Sequence, residues 1–226
     1  MASVYAIILA RGGSKGIPGK NIKSFCGKPL VSWTIQQAID SQEIDKVFLS
    51  SDSDQILDIG REFGANIIER PDEFATDEAS SESAVLHALS TFKNEPDIIV
   101  MLEPTAPLRD KNDLSNAIKQ FKDKGWDSAF SGSLLECFLI WERNDDGKLK
   151  SINYDYTSKV IRRQDRKDNF HENGAIYLFK PSVLRSNNRF GENIGIYLMK
   201  HWQQFEIDTP EEWSFVEDIF KKYILQ

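Results

Sequence analysis

Between Val4 and Ala10 the chain runs Val-Tyr-Ala-Ile-Ile-Leu-Ala with no charged or amide side chain to break it. A strand with one wet face alternates apolar and polar residues; an unbroken run instead marks a strand covered on both faces. Such a strand needs helices above and below it. Further strand-like segments run from Lys46 to Ser51, Ala65 to Glu69, Asp97 to Glu103, Ser128 to Ser131 and Gly174 to Phe179. Between them apolar residues recur at helical spacing: Leu30, Trp33, Thr34 and Ala38; Val85, Leu86, Leu89 and Phe92; Leu114, Ala117, Ile118 and Phe121. This alternation predicts an α/β fold, a Rossmann-like, mainly parallel sheet flanked by helices, with ligands bound beyond the carboxyl ends of the strands. Arg11 and Glu103 each follow a strand closely and so should project into that crevice. A last helix is announced by Thr209-Pro210-Glu211-Glu212, with Thr209 as N-cap, Pro210 in the first turn and Glu212 completing a capping box. Trp213, Val216, Ile219, Phe220 and Tyr223 give it an apolar core stripe.

The rhythm breaks from about Cys137 to Asn169, where Asn144-Asp145-Asp146-Gly147 reads as a hairpin turn followed by a polar stretch. The 226 residues, 40% of them hydrophobic, suffice for one domain over 1–226 with this segment as an excursion. A net charge of -7 argues against nucleic-acid binding, which needs a broad basic surface. No apolar stretch is long enough to span a membrane, and the first residues lack a signal-peptide layout, so a cytoplasmic protein is expected. Cys26 and Cys137 read as reduced thiols, and His87, His171 and His201 show no metal-ligand spacing, with His87 on a helix face and His201 in a strand or loop.

After the first strand comes Arg11-Gly12-Gly13-Ser14-Lys15-Gly16-Ile17-Pro18-Gly19-Lys20-Asn21. Glycines let backbone N–H groups approach phosphate oxygens, and Arg11, Lys15 and Lys20 supply charge fit for a triphosphate. Lys15 has a second reading as a solvated loop charge. The string is neither a Walker loop nor a dinucleotide fingerprint. Near the other end, Glu206 and Asp208 stand two residues apart on a strand-like segment, hence on one face. Two such carboxylates suit a hard cation such as Mg²⁺.

Leu9 to Pro18 with Lys20-Asn21 is similar to the signature of the acylneuraminate cytidylyltransferase (CMP-sialic acid synthetase) family, and the resemblance extends in order to Asp208. It implies a nucleotide-sugar transferase, GT-A-like nucleotidyltransferase fold. It further implies transfer of CMP from CTP to the C2 anomeric hydroxyl of a nonulosonic acid, with Mg²⁺ and release of pyrophosphate. Legionaminate, pseudaminate or a 3-deoxyoctulosonate are alternative acceptors, and a non-catalytic nucleotide-sugar binding relative is a reading of another class. Arg11, Lys20 and Asp208 would be catalytic; Gly12, Gly13, Lys15 and Asn21 would join them around the nucleotide. The segment from Glu69 to Ser81, including Asp77, resembles the family's cytosine surroundings, where Arg70 and Ser81 would read the base; Ser80 either joins them or caps the next helix.

Phe205 to Thr209 resembles an Asp-Ile-Asp metal motif, with Asp208 matching and Glu206 longer by one methylene. That departure leaves open direct or water-mediated coordination by Glu206. Met101 to Arg109 looks like a strand-end motif where a Gln usually stands at Glu103. An ionised Glu only accepts hydrogen bonds and repels a carboxylate, so Glu103 points to hydroxyl or amino groups, metal-bound water or a shifted sugar pose. Thr105 belongs to the same substrate-binding motif. Arg162-Arg163-Gln164 and Phe170 to Tyr177 resemble sugar-pocket segments: Arg163 would bind the sugar carboxylate, Asn173 its hydroxyls, and His171 either lines the pocket or merely flanks a strand. The excursion at about 137–169 would form a homodimer, carrying Arg162 or Arg163 toward the partner's pocket.

Overall fold

The computed structural model describes residues 2–135, 139–157, 168–184 and 188–225. The first apolar run forms β1 (Val4–Leu9), and after it β2 (Ser24–Phe25) and β3 (Lys28–Pro29) make a small separate hairpin; β1 is flanked on one side by β4 (Lys46–Ser51) and on the other by β6 (Ile98–Leu102), both parallel to it. Beyond β4 lies the parallel β5 (Asn66–Glu69). Beyond β6 come β10 (Phe170–Phe179), β7 (Ser128–Leu134) and β11 (Ile194–Leu198), giving the order β11-β7-β10-β6-β1-β4-β5. β10 runs against both its neighbours, while β7 and β11 are parallel to one another. Six strands of this sheet therefore share one direction.

Both faces of β1 are buried, as the missing alternation requires. Ala6 and Ile8 pack with Val31 and Ile35 of α1 (Leu30–Ile39) and Ile118 and Phe121 of α4 (Asp113–Lys124). Ile7, one residue on, faces the opposite layer with Val85 and Ala88 of α3 (Ser81–Ser90). A third cluster packs Trp213, Val216 and Phe220 of α6 (Pro210–Tyr223) on Phe25 and Leu30, with ring centroids 5.4 and 5.2 Å from Phe25. Ile207 belongs to this cluster, which ties the strand-like acidic segment to the core.

The expected strands and helices are present; β1, β5 and β6 are a residue or two shorter than expected, and β7 and β10 longer. β10 begins at Phe170 rather than Gly174, and β7 continues to Leu134. Elements outside the sequence expectation include the hairpin of Ser24–Phe25 with Lys28–Pro29, the short α5 (Pro181–Leu184), α2 (Asp54–Glu62), five of whose nine residues are polar, and edge strand β11, where Gly195 interrupts the pattern. His87 does sit on a helix, whereas His201 begins a 3-10 turn, His201–Gln203. Tyr223, expected in the core stripe, is half-exposed and stacks on Trp202 at 4.6 Å. The predicted hairpin is β8 (Trp141–Arg143) and β9 (Leu149–Ser151), a separate two-stranded sheet. The excursion leaves the main sheet at Leu134 and returns at Phe170, which are cross-strand partners. Cys137 falls outside the described residues. No helix among the described residues is long and apolar enough to cross a membrane.

Candidate active site

Chain order steps from β1 to β4 and β5 on one side and then back to β6 on the other, so a crevice opens beyond the carboxyl ends of β1 and β6. It holds a cavity of about 540 Å³. Arg11 enters it just past the end of β1 and Glu103 just past β6.

One end of the cavity is cationic. Arg11 and Lys15 both reach the carboxylate of Asp77, at 2.9 and 2.5 Å, and Arg11 also donates to the Thr76 carbonyl at 3.1 Å. Lys15 hydrogen-bonding first, and Arg11 with it, holds the Asp77 carboxyl below its usual range. Asn21 lines the cavity and donates through Nδ2 to the Arg11 carbonyl at 2.9 Å, while its Oδ1 is buried without a hydrogen-bond partner among the described residues. Arg70 is buried against Ser50, donating from Nε at 3.1 Å to the hydroxyl and from Nη2 at 2.6 Å to the carbonyl. Burial lowers its pKa to about 10, although Asp52 opposes the shift. Ser80 caps α3 by accepting from the Ser83 N–H at 3.1 Å, and Ser81 in the first turn lines the cavity.

The other end is acidic, with Glu103, Glu206 and Asp208 on its wall. The Ile207 N–H donates to the Thr105 carbonyl at 2.9 Å, which fixes the 206–208 segment beside the end of β6. Lys20 ties the glycine-rich loop to this acidic segment. Its buried Nζ donates to the Ile207 carbonyl at 2.7 Å and to Asp208 Oδ1 at 2.9 Å. The glycine-rich loop approaches the same spot: a Cβ on Gly16 would stand 2.1 Å from the Asp208 carbonyl oxygen. Glu206 is held from below by Gly174, which has φ +64 and where a Cβ would stand 2.5 Å from the carboxylate. Burial, then Glu103 and Asp208, push the Glu206 pKa up to about 7. Burial also raises that of Glu103, against Arg189 and Arg109.

Among the described residues, no group of three or more His, Cys, Asp or Glu side chains converges tightly enough to hold a metal by itself. The donor set nevertheless fits Mg²⁺, which takes one or two carboxylates and fills its octahedron with waters and phosphate oxygens. Carboxylates whose ionisation is opposed by burial and by each other are also those that a cation would relieve.

A family model described as cytidylyltransferase matches residues 5–226. The chain belongs to the cytidylyltransferase family. It is similar to N-acylneuraminate cytidylyltransferase A of Danio rerio, 32% identical over 217 residues, covering 95% of this chain and 50% of that one. Against the N-acylneuraminate cytidylyltransferase of Escherichia coli O18:K1:H7 (strain RS218 / NMEC) it is 32% identical over 223 residues, covering 97% and 52%. The chain thus spans about half the length of these curated relatives. By contrast, post-translational flagellin modification protein B of Campylobacter coli is matched over 98% of its length at 29% identity, with all of this chain covered. In fold, the chain resembles a CMP:2-keto-3-deoxy-manno-octonic acid synthetase complexed with CTP, with TM-score 0.75 and 16% identity over 98% of this chain and 99% of the other.

The cavity brings together Arg11, Lys15, Lys20, Asn21, Arg70, Ser81, Glu103, Thr105, Glu206 and Asp208 of the residues expected from sequence. Others stand elsewhere. Asn173, expected to meet sugar hydroxyls, is fully buried: its Oδ1 accepts from the Ser131 hydroxyl at 2.6 Å and the Ala175 N–H at 3.3 Å. Its Nδ2 donates to the Gln203 carbonyl at 3.0 Å and the Met199 sulfur at 3.3 Å, so no polar group is left for a ligand. Gly12 and Gly13 are not on the cavity wall, and the Gly12 N–H is taken by Asp52 Oδ1 at 2.9 Å. His171 is exposed on β10, away from the lining. Arg162, Arg163 and Gln164 lie outside the described residues.

Sequence reasoning passed over two residues that position the cavity wall. Arg109, fully buried, donates to the Glu103 and Ala175 carbonyls, each at 2.8 Å, and to Gln37 Oε1 at 2.9 Å. Burial lowers its pKa to about 10 against Asp113, Glu103 and Glu206. An isolated arginine after a strand carries no sequence signal of burial. Gly174 did carry one, as the second residue of an Asn-Gly pair inside a strand pattern.

Proposed function

We propose that the chain is a CMP-sugar synthetase of the N-acylneuraminate cytidylyltransferase type, joining CMP from CTP to the C2 hydroxyl of a nonulosonic acid and releasing pyrophosphate. The observation that carries this reading is one cavity with Arg11, Lys15 and Lys20 facing Glu103, Glu206 and Asp208. Cations of this kind take up charge on a triphosphate as the α-phosphorus is attacked. Arg70 and Ser81 would receive the cytosine, with Asn21 near the nucleotide. In the reaction the C2 oxygen bonds to the α-phosphorus while the bond from that phosphorus to the bridging β-phosphate oxygen breaks. The hydroxyl proton leaves toward the Glu103–Glu206–Asp208 cluster. Mg²⁺ held at Glu206 and Asp208 would neutralise phosphate charge and acidify the hydroxyl. Lys20 keeps Asp208 in place throughout.

The sugar carboxylate would meet Arg162 or Arg163, in a homodimer built through the excursion. Leu139, Ile140, Trp141, Leu149 and Ile152 are exposed there, apolar surface of the kind that marks an interface. An eight-carbon 3-deoxyoctulosonate is the second reading of the acceptor, favoured by Glu103 standing where the resemblance has a Gln. Pyrophosphate release with CTP and Mg²⁺ tests both, across N-acetylneuraminate, legionaminate, pseudaminate and the octulosonate. Turnover of a nine-carbon acid supports the first reading and turnover of the octulosonate alone the second. CTP binding without turnover of any acid would leave a non-catalytic binding protein.

A further inference from the structure

The cation pair at the phosphate end has a partner within the chain. Asp77 offers Oδ1 to Arg11 and Oδ2 to Lys15, one oxygen to each cation, as two oxygens of a phosphate would. The arrangement is built rather than incidental. Arg11 is held in the same place by the Thr76 carbonyl, and Thr76 through its Oγ1 accepts from the Ala79 N–H at 3.1 Å, shaping the turn that presents Asp77. Arg11, Lys15, Thr76 and Asp77 all face the cavity.

We infer that Asp77 is an intramolecular competitor of polyphosphate: it holds Arg11 and Lys15 whenever a nucleotide does not, and thereby weakens the enzyme's grip on CTP and pyrophosphate. This rests on the proposed use of Arg11 and Lys15 as triphosphate ligands. A ligand that needs both cations must first release them from Asp77, so its observed affinity is its intrinsic affinity multiplied by the fraction of molecules in which they are free. A ligand that touches neither cation carries no such penalty. Asp77 therefore acts on the phosphates and leaves recognition of the nucleoside alone. Its consequence for turnover is that a returning carboxylate competes with departing pyrophosphate for the same pair.

The test is calorimetric titration of wild type, Asp77→Asn and Glu78→Gln with CTP, pyrophosphate and cytidine, in buffer containing Mg²⁺. Glu78→Gln removes the same charge from the adjacent exposed residue and controls for long-range electrostatics. The expected result is that Asp77→Asn tightens CTP and pyrophosphate about 5-fold or more, leaves cytidine within about 2-fold, and shifts the limiting step of turnover toward pyrophosphate release. Glu78→Gln should leave all three ligands within about 2-fold of wild type. Unchanged or weaker pyrophosphate binding to Asp77→Asn would overturn the inference and make Asp77 a support for the two cations. Equal tightening by Glu78→Gln would overturn it as well, since net charge would then explain the effect. A wild-type protein that binds pyrophosphate but shows no preference for CTP over other nucleoside triphosphates would refute the cytidylyltransferase reading while leaving the Asp77 comparison intact.

Discussion

Glu206 stands where solvation and charge pull against function. Its pKa is raised to about 7 by burial, with Glu103 and Asp208 adding to the effect. The folded chain thus holds this proton more tightly than the unfolded one, and the contribution of Glu206 to stability falls as pH rises from the ordinary glutamate range through about 7. Glu206→Gln should therefore melt higher than wild type at pH 8 with a chelator present, and match it at pH 5, in thermal denaturation. The same variant should lose about 100-fold or more in turnover if its carboxylate carries the metal. Lys20 presents the opposite case, a buried cation satisfied by the Ile207 carbonyl and Asp208. Lys20→Met should fold and yet lose on the order of 10²–10³ in pyrophosphate release at saturating CTP. Arg11, Lys20, Glu206 and Asp208, which do line one cavity, stood out in the sequence because charge next to glycine, or two acids at strand spacing, is rare without a ligand. Asn173 misled because an amide at a strand bulge reads alike whether it meets a sugar or, as here, Ser131, Ala175 and Gln203.

At the scale of elements, the local patterns that were readable are those whose cause is local. The cap of α6 is one: Thr209 accepts from the Glu212 N–H at 3.2 Å, and the Glu212 carboxylate accepts from the Thr209 N–H at 2.8 Å. That carboxylate also accepts from the Asp208 N–H at 2.9 Å, so the helix start and the acidic arm are one unit. What could not be read were contacts between distant segments, such as Gly16 against the Asp208 carbonyl, because glycine in a polar loop has many causes. Gly16→Ala should push the phosphate loop and the acidic arm apart. Turnover should fall at least about 10-fold with little change in melting temperature, and a variant of unchanged turnover would show that the loop moves freely past Asp208. α2 and β11 escaped notice for a different reason, since a largely polar helix and an edge strand owe their existence to what they pack against.

Across the whole molecule, the one reversed strand has a geometric effect. Because β10 runs against β6 and β7, its first residues lie at the same edge as their last, where the cavity opens. The hairpin excursion therefore departs from and returns to the rim of the site. If its exposed Trp141 and Ile152 form a dimer contact, Trp141→Glu with Ile152→Glu should give monomers in light scattering and lower sugar turnover, while CTP binding persists. Dimers that survive both charges would place the interface elsewhere. The Lys20 bridge carries a last consequence. Its partners lie 187 and 188 positions along the chain, so the glycine-rich loop and the acidic segment meet only once most of the fold between them has closed. Assembly of the candidate site and closure of the fold are then one event, and a chain whose acidic segment has undocked keeps neither.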